Sequence, residues 1–590
     1  MKKHVESEKH KSNIRTATTS QVLDRFMVEK SSPMALKVWA AEGTMAFHTV
    51  KHHMSYNSMN CTAPLMRTLF IDSEIAKQLS CGKTKTEAII NGVLAPRALN
   101  GVKEALSKVP FVSLSTDASN HGHHKLFPLV TQYFDYENGG IQVKLLDLKE
   151  TNNEKAENVT NLIEGVLEKH NLTEKLSAFV ADNAPINFGG LNRRGANNVL
   201  SLLKKKVSPN VIGVGCPAHI LHNCAQHGLD QFGTFDIDVV VFKLFKHFSV
   251  YTLKTAELKD FCEFVQVQYQ PLLSHSKTRW LSLFPAIERI LKLFPALKSY
   301  FLSIEKPPIY LENFFLNDMA ESFLFFVQSF MYIFHSRIAT IEREGNSILE
   351  ISSIIESVAN SLRERIKLKF LPMTLLSNLE RMKAEGKEKE CTDFHERTID
   401  VCKEALDYLL KWTSSLSELK VFQWLKFDSS TKEVEYNQVV QTMQYLKLKN
   451  VDIHEDKIID QLANLNNFLN MKKNDVGGSA DFFSQTSNDQ MCQFFKANAN
   501  IDSFSEILKI AQYFFSIPGH NANCERIFSL TNVQWSDERN RLLVENVRNI
   551  VIVQYNYKKM SCADFHKYLM KPENLAMLRA IGNFEKYDRA

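Results

Sequence analysis

A chain of 590 residues with 44% hydrophobic and 23% charged residues is too long for one core, and its composition is that of a globular protein rather than a fibrous or disordered one. Gly (21) and Pro (16) are scarce, which excludes collagen-like and low-complexity chains and favours a largely helical protein over a many-turned all-β one. The net charge of +5 supports no nucleic-acid partner by itself, so any basic surface has to be local. Ten cysteines without regular spacing do not read as a disulfide framework and point to a reducing compartment. The opening MKKHVESEKHK leads into no apolar signal-peptide core. The most apolar run, Phe323 to Phe334, is shorter than the ~18 residues that span a bilayer, so a buried helix and no membrane partner are expected.

Taken in chain order, residues 1–32 are polar and predicted to be disordered. Residues 33–107 read as a helical region, with Asp72 a predicted N-cap. The texture then changes. FVSLSTDASN (111–120) is an apolar strand ending in a polar loop. Segments 125–135 and 140–150 are two more strands, joined by a hairpin turn at Asn138-Gly139-Gly140. Glu154 to Leu172 is a helix with Val159, Leu162, Ile163, Val166 and Leu167 on one stripe. A fourth strand (176–184), a helix (196–207) and a fifth strand (211–219) follow. Three strands, a helix, a strand, a helix and a strand is the order of an RNase H-like α/β fold, an antiparallel meander continued by parallel crossovers. Residues 285–505 read as amphipathic helices, with an exposed charged linker at 380–390 and a loop at 477–489. Residues 503–556 give two or three helices around a Pro-Gly break.

Asp117 ends the first predicted strand and Asp182 the fourth. In such a sheet those ends are neighbours, and two carboxylates on rigid strands are what hard cations such as Mg²⁺ or Mn²⁺ require. Asp-Ala-Ser and Asp-Asn-Ala are equally good turn sequences, so a capping role stands beside the catalytic one.

Five segments in register carry a resemblance: STDASN, VADNAPINFGG, CPAHILHN, the triplet TRW at 278–280, and SIPGHNANCERIFSLTNVQWSDERNRL. Together they resemble the transposases of the hobo–Activator (hAT) superfamily, from about Phe111 to Tyr555. The resemblance implies an RNase H-like catalytic domain (108–284) interrupted by an all-helical insertion (285–505). Residues 506–590 would then complete that domain and form a C-terminal dimerisation region. It also implies a third carboxylate after the insertion, which by position is Glu525, so that Asp117, Asp182 and Glu525 would be the catalytic and metal-binding triad. By itself, an acidic residue in a first helical turn favours the helix dipole. Cys524 stands where relatives usually carry a small hydroxyl residue.

Cys216 and His219 match the family's C-x-x-H element and would lie near the active site. His222, Cys224 and His227 are close in sequence, yet one short stretch without C-x-x-C is a poor zinc site. The resemblance makes Arg279 and Trp280 DNA-binding residues, Arg for a phosphate and Trp for a base; core packing is the plainer role of such a Trp. Arg193, Arg194, Lys204, Lys205 and Lys206, with no acid among residues 192–206, suit a phosphate backbone or a solvated helix face. From Leu542 to Val553, the residues Leu543, Val547, Ile550 and Val551 form a stripe in the region the family uses for self-association, and packing within one subunit would give the same pattern. His121 to His124 reads as a solvated turn. Many relatives begin with a BED-type zinc finger; the pairs His4/His10 and His48/His52 have suitable spacing, but no Cys pair precedes either.

Two functions remain open. One is a nuclear, Mg²⁺- or Mn²⁺-dependent hAT-like transposase that acts on DNA as a homodimer or higher assembly, with no small-molecule substrate. The other is a domesticated, catalytically inactive nuclear protein that keeps dimerisation and DNA or protein binding.

Overall fold

The computed structural model describes residues 32–190, 195–233, 235–275, 282–430, 433–474, 479–536, 539 and 542–584. The expectation for residues 1–31 therefore lies outside the described residues. The chain divides into two compact units, residues 1–102 with 530–590, and residues 103–529.

The larger unit is built on one mixed sheet. Its strands are β1 (Val112–Ser115), β2 (Ser119–His121), β3 (His124–Asp135), β4 (Gly140–Glu150), β5 (Leu176–Ala181) and β6 (Ile212–Gly215). β3 is antiparallel to β4, to β1 and to the short β2, a strand the sequence reading had merged into a loop. β1, β5 and β6 then run parallel. β1 and β2 pair with β3 at residues 130–132 and 124–126, and Pro128, which has no N–H to give a ladder, lies between these two stretches. β1 and β5 are buried at every position, as expected of strands covered on both faces. The helix Ala156–His170 lays Val159, Ile163, Val166 and Leu167 into the core and ends on Asn171 in the left-handed region (φ 57°), which short polar side chains tolerate.

The hairpin at 135–140 forms as its Asn-Gly-Gly sequence predicts, and Gly140 has a second reason to be glycine. Its φ is +83°, and a Cβ there would stand 2.0 Å from Asn488 Oδ1 and 2.7 Å from Cys492 Sγ. Asn488 Oδ1 already accepts the Ile141 N–H at 2.8 Å. Gly140→Ala is expected to cost about 1–3 kcal/mol, through left-handed strain plus displacement of that amide, read as a lower urea midpoint.

Beyond β6 no strand is found among the described residues. The run Phe323–Phe334 sits in a 22-residue helix, Ala320–Ile341. By length and composition this helix could cross a membrane, but Phe323, Leu324, Phe326, Val327, Phe330 and Phe334 are buried within the unit. The expected linker at 380–390 is a helix hairpin instead. Helices Met373–Ala384 and Glu388–Thr413 meet at Gly386 (φ 90°), and the charges that suggested a linker lie on outward faces while Cys391, Phe394 and Val401 face the core. Of the expected loop at 477–489, residues 477–478 lie outside the described residues and the rest is mostly helical, in Ser479–Ser484 and Ser487–Ala497. Its buried Asn488 serves the Ile141 amide, and Gln490 just beyond it accepts the Phe427 N–H at 3.0 Å and donates to the Phe427 carbonyl at 2.8 Å. Buried polar groups paired in this way are stable in a core, but in a sequence they look like a turn.

The smaller unit is helical and, among the described residues, brings 32–102 together with the C-terminal stretch from 530 to 584. Helix Pro33–Lys51 is capped by Ser32, which accepts the Ala35 N–H at 3.1 Å. Gly43 in this helix lets Ile581 and Leu569 approach, since a Cβ there would stand 2.7 Å from Ile581 Cδ1. Ser73, not Asp72, caps the helix at Glu74–Gln78. A wide π turn at Ile90–Leu94 presents Asn91, which exchanges hydrogen bonds with Asn546 (2.9 Å) and Asn549 (3.1 Å) on helix Val544–Asn556. The rings of His48 and His52 lie 4.6 Å apart, tilted by 46°, at the end of helix Pro33–Lys51, and His4 and His10 lie outside the described residues. All ten cysteines are free.

Candidate metal centre

β1 and β5 are parallel neighbours, with Ser115 opposite Val180, so the residues that follow them leave the same end of the sheet. The Thr116 N–H bonds the Val180 carbonyl at 3.1 Å and carries Asp117 off β1 beside Asp182, which follows β5. Each aspartate also shapes its own turn. Asp117 Oδ1 accepts the Ala118 N–H at 2.8 Å; Asp182 Oδ1 accepts Asn187 Nδ2 at 2.6 Å and the Ala184 N–H at 3.3 Å. The capping role is real, and it does not remove the carboxylates from the sheet end.

Glu525 arrives from 343 residues later in the chain than Asp182 (525 − 182), in the first turn of helix Ala522–Gln534. Its approach is fixed by a segment that sequence reasoning passed over. Gln132 Nε2 donates to the Phe515 carbonyl at 2.9 Å, and the Ser177 and Ser516 hydroxyls meet at 2.9 Å. Asn521 then bonds two strand ends at once. Its Nδ2 donates to the Thr116 carbonyl at 3.0 Å, and its N–H to Cys216 Sγ at 3.4 Å. Cys216 is itself tied to β5, through its N–H to the Ala181 carbonyl (3.0 Å) and its carbonyl from Asn183 Nδ2 (3.1 Å). At the helix, Arg526 donates to Asn523 Oδ1 (2.8 Å), to the Glu342 carbonyl and to the Glu344 carboxylate (3.4 Å). These clamps fix the start of the Glu525 helix against the strand ends, where the Glu525 carboxylate acts on Asp117; only an Asn-rich stretch, NAN, hints at them in the sequence.

The electrostatics follow from this crowding. Burial first, then the Asp182 carboxylate, pushes the Asp117 pKa up to about 6, with Glu525 adding to the rise while the Ala118 N–H and His219 oppose it. His219 Nε2 stands 4.0 Å from Glu525 Oε1. Burial opposes charge on its ring, but Cys216, Glu525 and Asp117 outweigh burial and push its pKa up to about 10. Glu342, near the same carboxylates, is raised by burial and then by Glu525. Cys524 is buried, and burial followed by Asp117 and Glu525 pushes its thiol well up, so it offers no thiolate.

The other Cys and His residues of this stretch take separate partners. The Cys224 thiol donates to the Ala405 carbonyl at 2.9 Å, and His227 stands 3.7 Å from Glu404. Burial and then the neighbouring His219 lower the His222 pKa to about 3. Among the described residues no three His, Cys, Asp or Glu side chains stand close enough together to enclose a metal ion. The donor set nonetheless suits a hard cation. Three carboxylates supply oxygen, the burial and mutual repulsion at Asp117 would be relieved by positive charge, and the buried Thr116 Oγ1, Asn183 Oδ1 and Asn521 Oδ1 have no hydrogen-bond partner among the described residues.

Lys204, Lys205 and Lys206 end helix Val199–Lys206, where cations complement the dipole, and Lys206 bonds Asn161 (2.7 Å) and Glu164 (3.2 Å). Arg193, Arg194, Arg279 and Trp280 lie outside the described residues. The His121–His124 turn is a two-residue hairpin at whose base His124 meets Glu150 at 2.6 Å, in solvent.

Sheet and helices together make a mixed α/β protein in which Asp117 and Asp182 follow adjacent parallel strands at one end of the sheet. Residues 479–557 match the hAT family C-terminal dimerisation region, a match that supports a relation to the hAT superfamily and its transposases. No curated protein matches the chain. A dimerisation region supports self-association. Within it, Val547, Ile550 and Val551 are spent on packing inside their own unit, whereas Leu543 precedes helix Val544–Asn556 and is 70% exposed.

Proposed function

We propose that this chain is a hAT-like transposase or a protein derived from one, acting on DNA in the nucleus, with Asp117, Asp182 and Glu525 as its metal-binding carboxylates. The observation that supports this reading is that Asp117 and Asp182 follow parallel neighbouring strands at one sheet end, with the Asp182 and Glu525 carboxylates both acting on Asp117. The strand order β4-β3-β1-β5-β6, antiparallel then parallel, supports an RNase H-like sheet. The helices between β6 and the Glu525 helix support an insertion within that domain.

Asp117, Asp182 and Glu525 would hold Mg²⁺ or Mn²⁺, which when bound would activate a water or a 3′-hydroxyl and stabilise the leaving oxygen of a phosphodiester. The chain's own groups prepare the place. Asn521 and Asn183 fix the strand ends, Arg526 sets the Glu525 helix, and protonated His219 balances the carboxylates until a cation arrives.

Asp117 gives this reading a pH dependence. Its ordinary value is 3.8 and its folded value about 6. The folded state therefore holds the proton more tightly, and stability present below pH 3.8 is lost as pH rises towards 6. Cation binding needs the carboxylate, so it runs the other way: Mn²⁺ affinity should fall about tenfold per pH unit below 6 and level off above it. Calorimetric titrations at a series of pH values check this.

The absence of an enclosing metal cluster among the described residues favours a second reading, a domesticated protein that keeps the fold for dimerisation and DNA or protein binding without catalysis. Mn²⁺ calorimetry with and without duplex DNA, followed by a strand-cleavage assay, separates the two. Saturable binding with cleavage supports the enzyme; no binding in either state leaves the non-catalytic relative.

A further inference from the structure

Helix Ile237–Ser249 and the start of helix Thr252–Phe264 carry an unusual outer face in the larger unit. Residues 239–256 include Lys243, Lys246 and Lys254 and no acid. The inner side is ordinary core, with Val240, Val241, Leu244 and Phe248 buried. The outer side exposes apolar and aromatic groups instead of mixed charges: Phe242 53%, Val250 58%, Tyr251 59% and Leu253 70%. The ammonium groups lie over rings, Lys246 over Phe242 (5.9 Å), Lys254 over Tyr251 (5.0 Å) and Lys243 over Tyr310 (5.5 Å).

The flanking carboxylates are engaged locally: exposed Asp236 caps the helix by accepting the Asp238 N–H at 2.9 Å and the Val239 N–H at 3.2 Å. Asp238 is buried against His275 at 3.1 Å. Glu257 accepts the Tyr300 hydroxyl at 3.1 Å; that hydroxyl accepts from His247 Nε2 at 3.1 Å, and Lys254 Nζ stands 3.5 Å from His247 Nδ1. Burial, then Lys254, lowers the His247 pKa to about 4, so the ring is neutral and can accept from the lysine. The chain Lys254–His247–Tyr300–Glu257 thus draws negative charge inward and leaves cations and rings outward.

We propose that this face binds an unpaired DNA strand, with Lys243, Lys246 and Lys254 on its phosphates and Phe242 and Tyr251 against its bases. Cations without acids suit a phosphate backbone, and exposed rings suit bases whose faces are open, which a duplex does not offer. This inference rests on the DNA-acting function proposed above and supplies the local basic surface that a net charge of +5 leaves to be found.

The test is fluorescence anisotropy with the full chain, a labelled oligothymidylate and a labelled duplex, over a range of NaCl concentrations. The charge reversal K243E/K246E/K254E should make the log–log salt slope for the single strand shallower by about 2, as expected for three lost phosphate contacts at roughly 0.7 each. Tyr251→Ala should weaken single-strand binding about tenfold and duplex binding much less. The pair Lys243→Gln and Lys246→Gln, which leaves the Lys254–His247 contact intact, should give the same trend with an unchanged melting curve. Unchanged single-strand binding by these variants, or a loss confined to the duplex, overturns the proposal while the DNA-acting function stands. A wild-type chain that binds neither probe overturns both.

Discussion

Asp182→Asn is expected to abolish saturable Mn²⁺ binding and to lower any strand cleavage by roughly a thousand-fold or more, because a carboxylate that holds the cation supports several kcal/mol of transition-state charge stabilisation. The substitution is nearly isosteric. An amide oxygen can still accept from Asn187 Nδ2 and the Ala184 N–H, so the turn after β5 should survive. Calorimetry then reads the charge alone, and circular dichroism should show an unchanged fold. Retained Mn²⁺ affinity in this variant would remove Asp182 from the centre. A variant that loses the fold as well would mean that the aspartate acts chiefly as a cap. Asp117→Asn differs in direction, since burial and Asp182 already raise that group: losing its charge should stabilise the metal-free protein near neutral pH while weakening metal binding.

The largest expected stability effect lies in the smaller unit. Lys85 Nζ and Glu42 Oε1 are 2.9 Å apart with both side chains at 0% exposure. Ser80 completes the site, donating its N–H (3.0 Å) and hydroxyl (3.2 Å) to the same Glu42 oxygen, while Lys85 also reaches Ser80 Oγ at 2.9 Å. Lys85→Met strands a buried carboxylate and should cost about 3–5 kcal/mol, seen as an early transition in urea and as faster hydrogen exchange in helices Pro33–Lys51 and Lys83–Ile89. Changing both partners, Glu42→Leu with Lys85→Met, should recover most of that loss, because the desolvation of the pair nearly cancels its attraction. A double variant as unstable as the single one would show that the pair is net stabilising.

The strands around the candidate centre were legible because β-rich apolar runs bounded by Asn-Gly and Asp-Asn turns have few other ways to fold. Asp117 and Asp182 could be singled out because each closes such a run. Glu525 could not, since an acidic residue in a first helical turn is common, and the resemblance alone selected it. Two segments misled the reading in the same way. At 380–390 a dense run of charge, and at 477–489 a run of Ser, Asn, Asp and Gln, looked like solvated connections. In the fold the first is two helix ends with outward charges, and the second buries Asn488 against the Ile141 amide. Composition records polarity but not which partner a polar group will meet.

The sequence by itself determined five of the six strands in order with the two helices between the parallel ones, the helical character of most of the chain, and the two aspartates that follow β1 and β5. These are local matters of periodicity, turn chemistry and apolar spacing. Tertiary structure decided the rest. It joined helix Pro33–Lys51 and helix Leu575–Gly582 into one unit, buried Lys85 on Glu42 across 43 residues, and brought Asn521 to Thr116 and Cys216 ahead of the Glu525 helix. Each of these depends on desolvation and hydrogen bonding between groups that chain order keeps apart, and local patterning does not encode such partners.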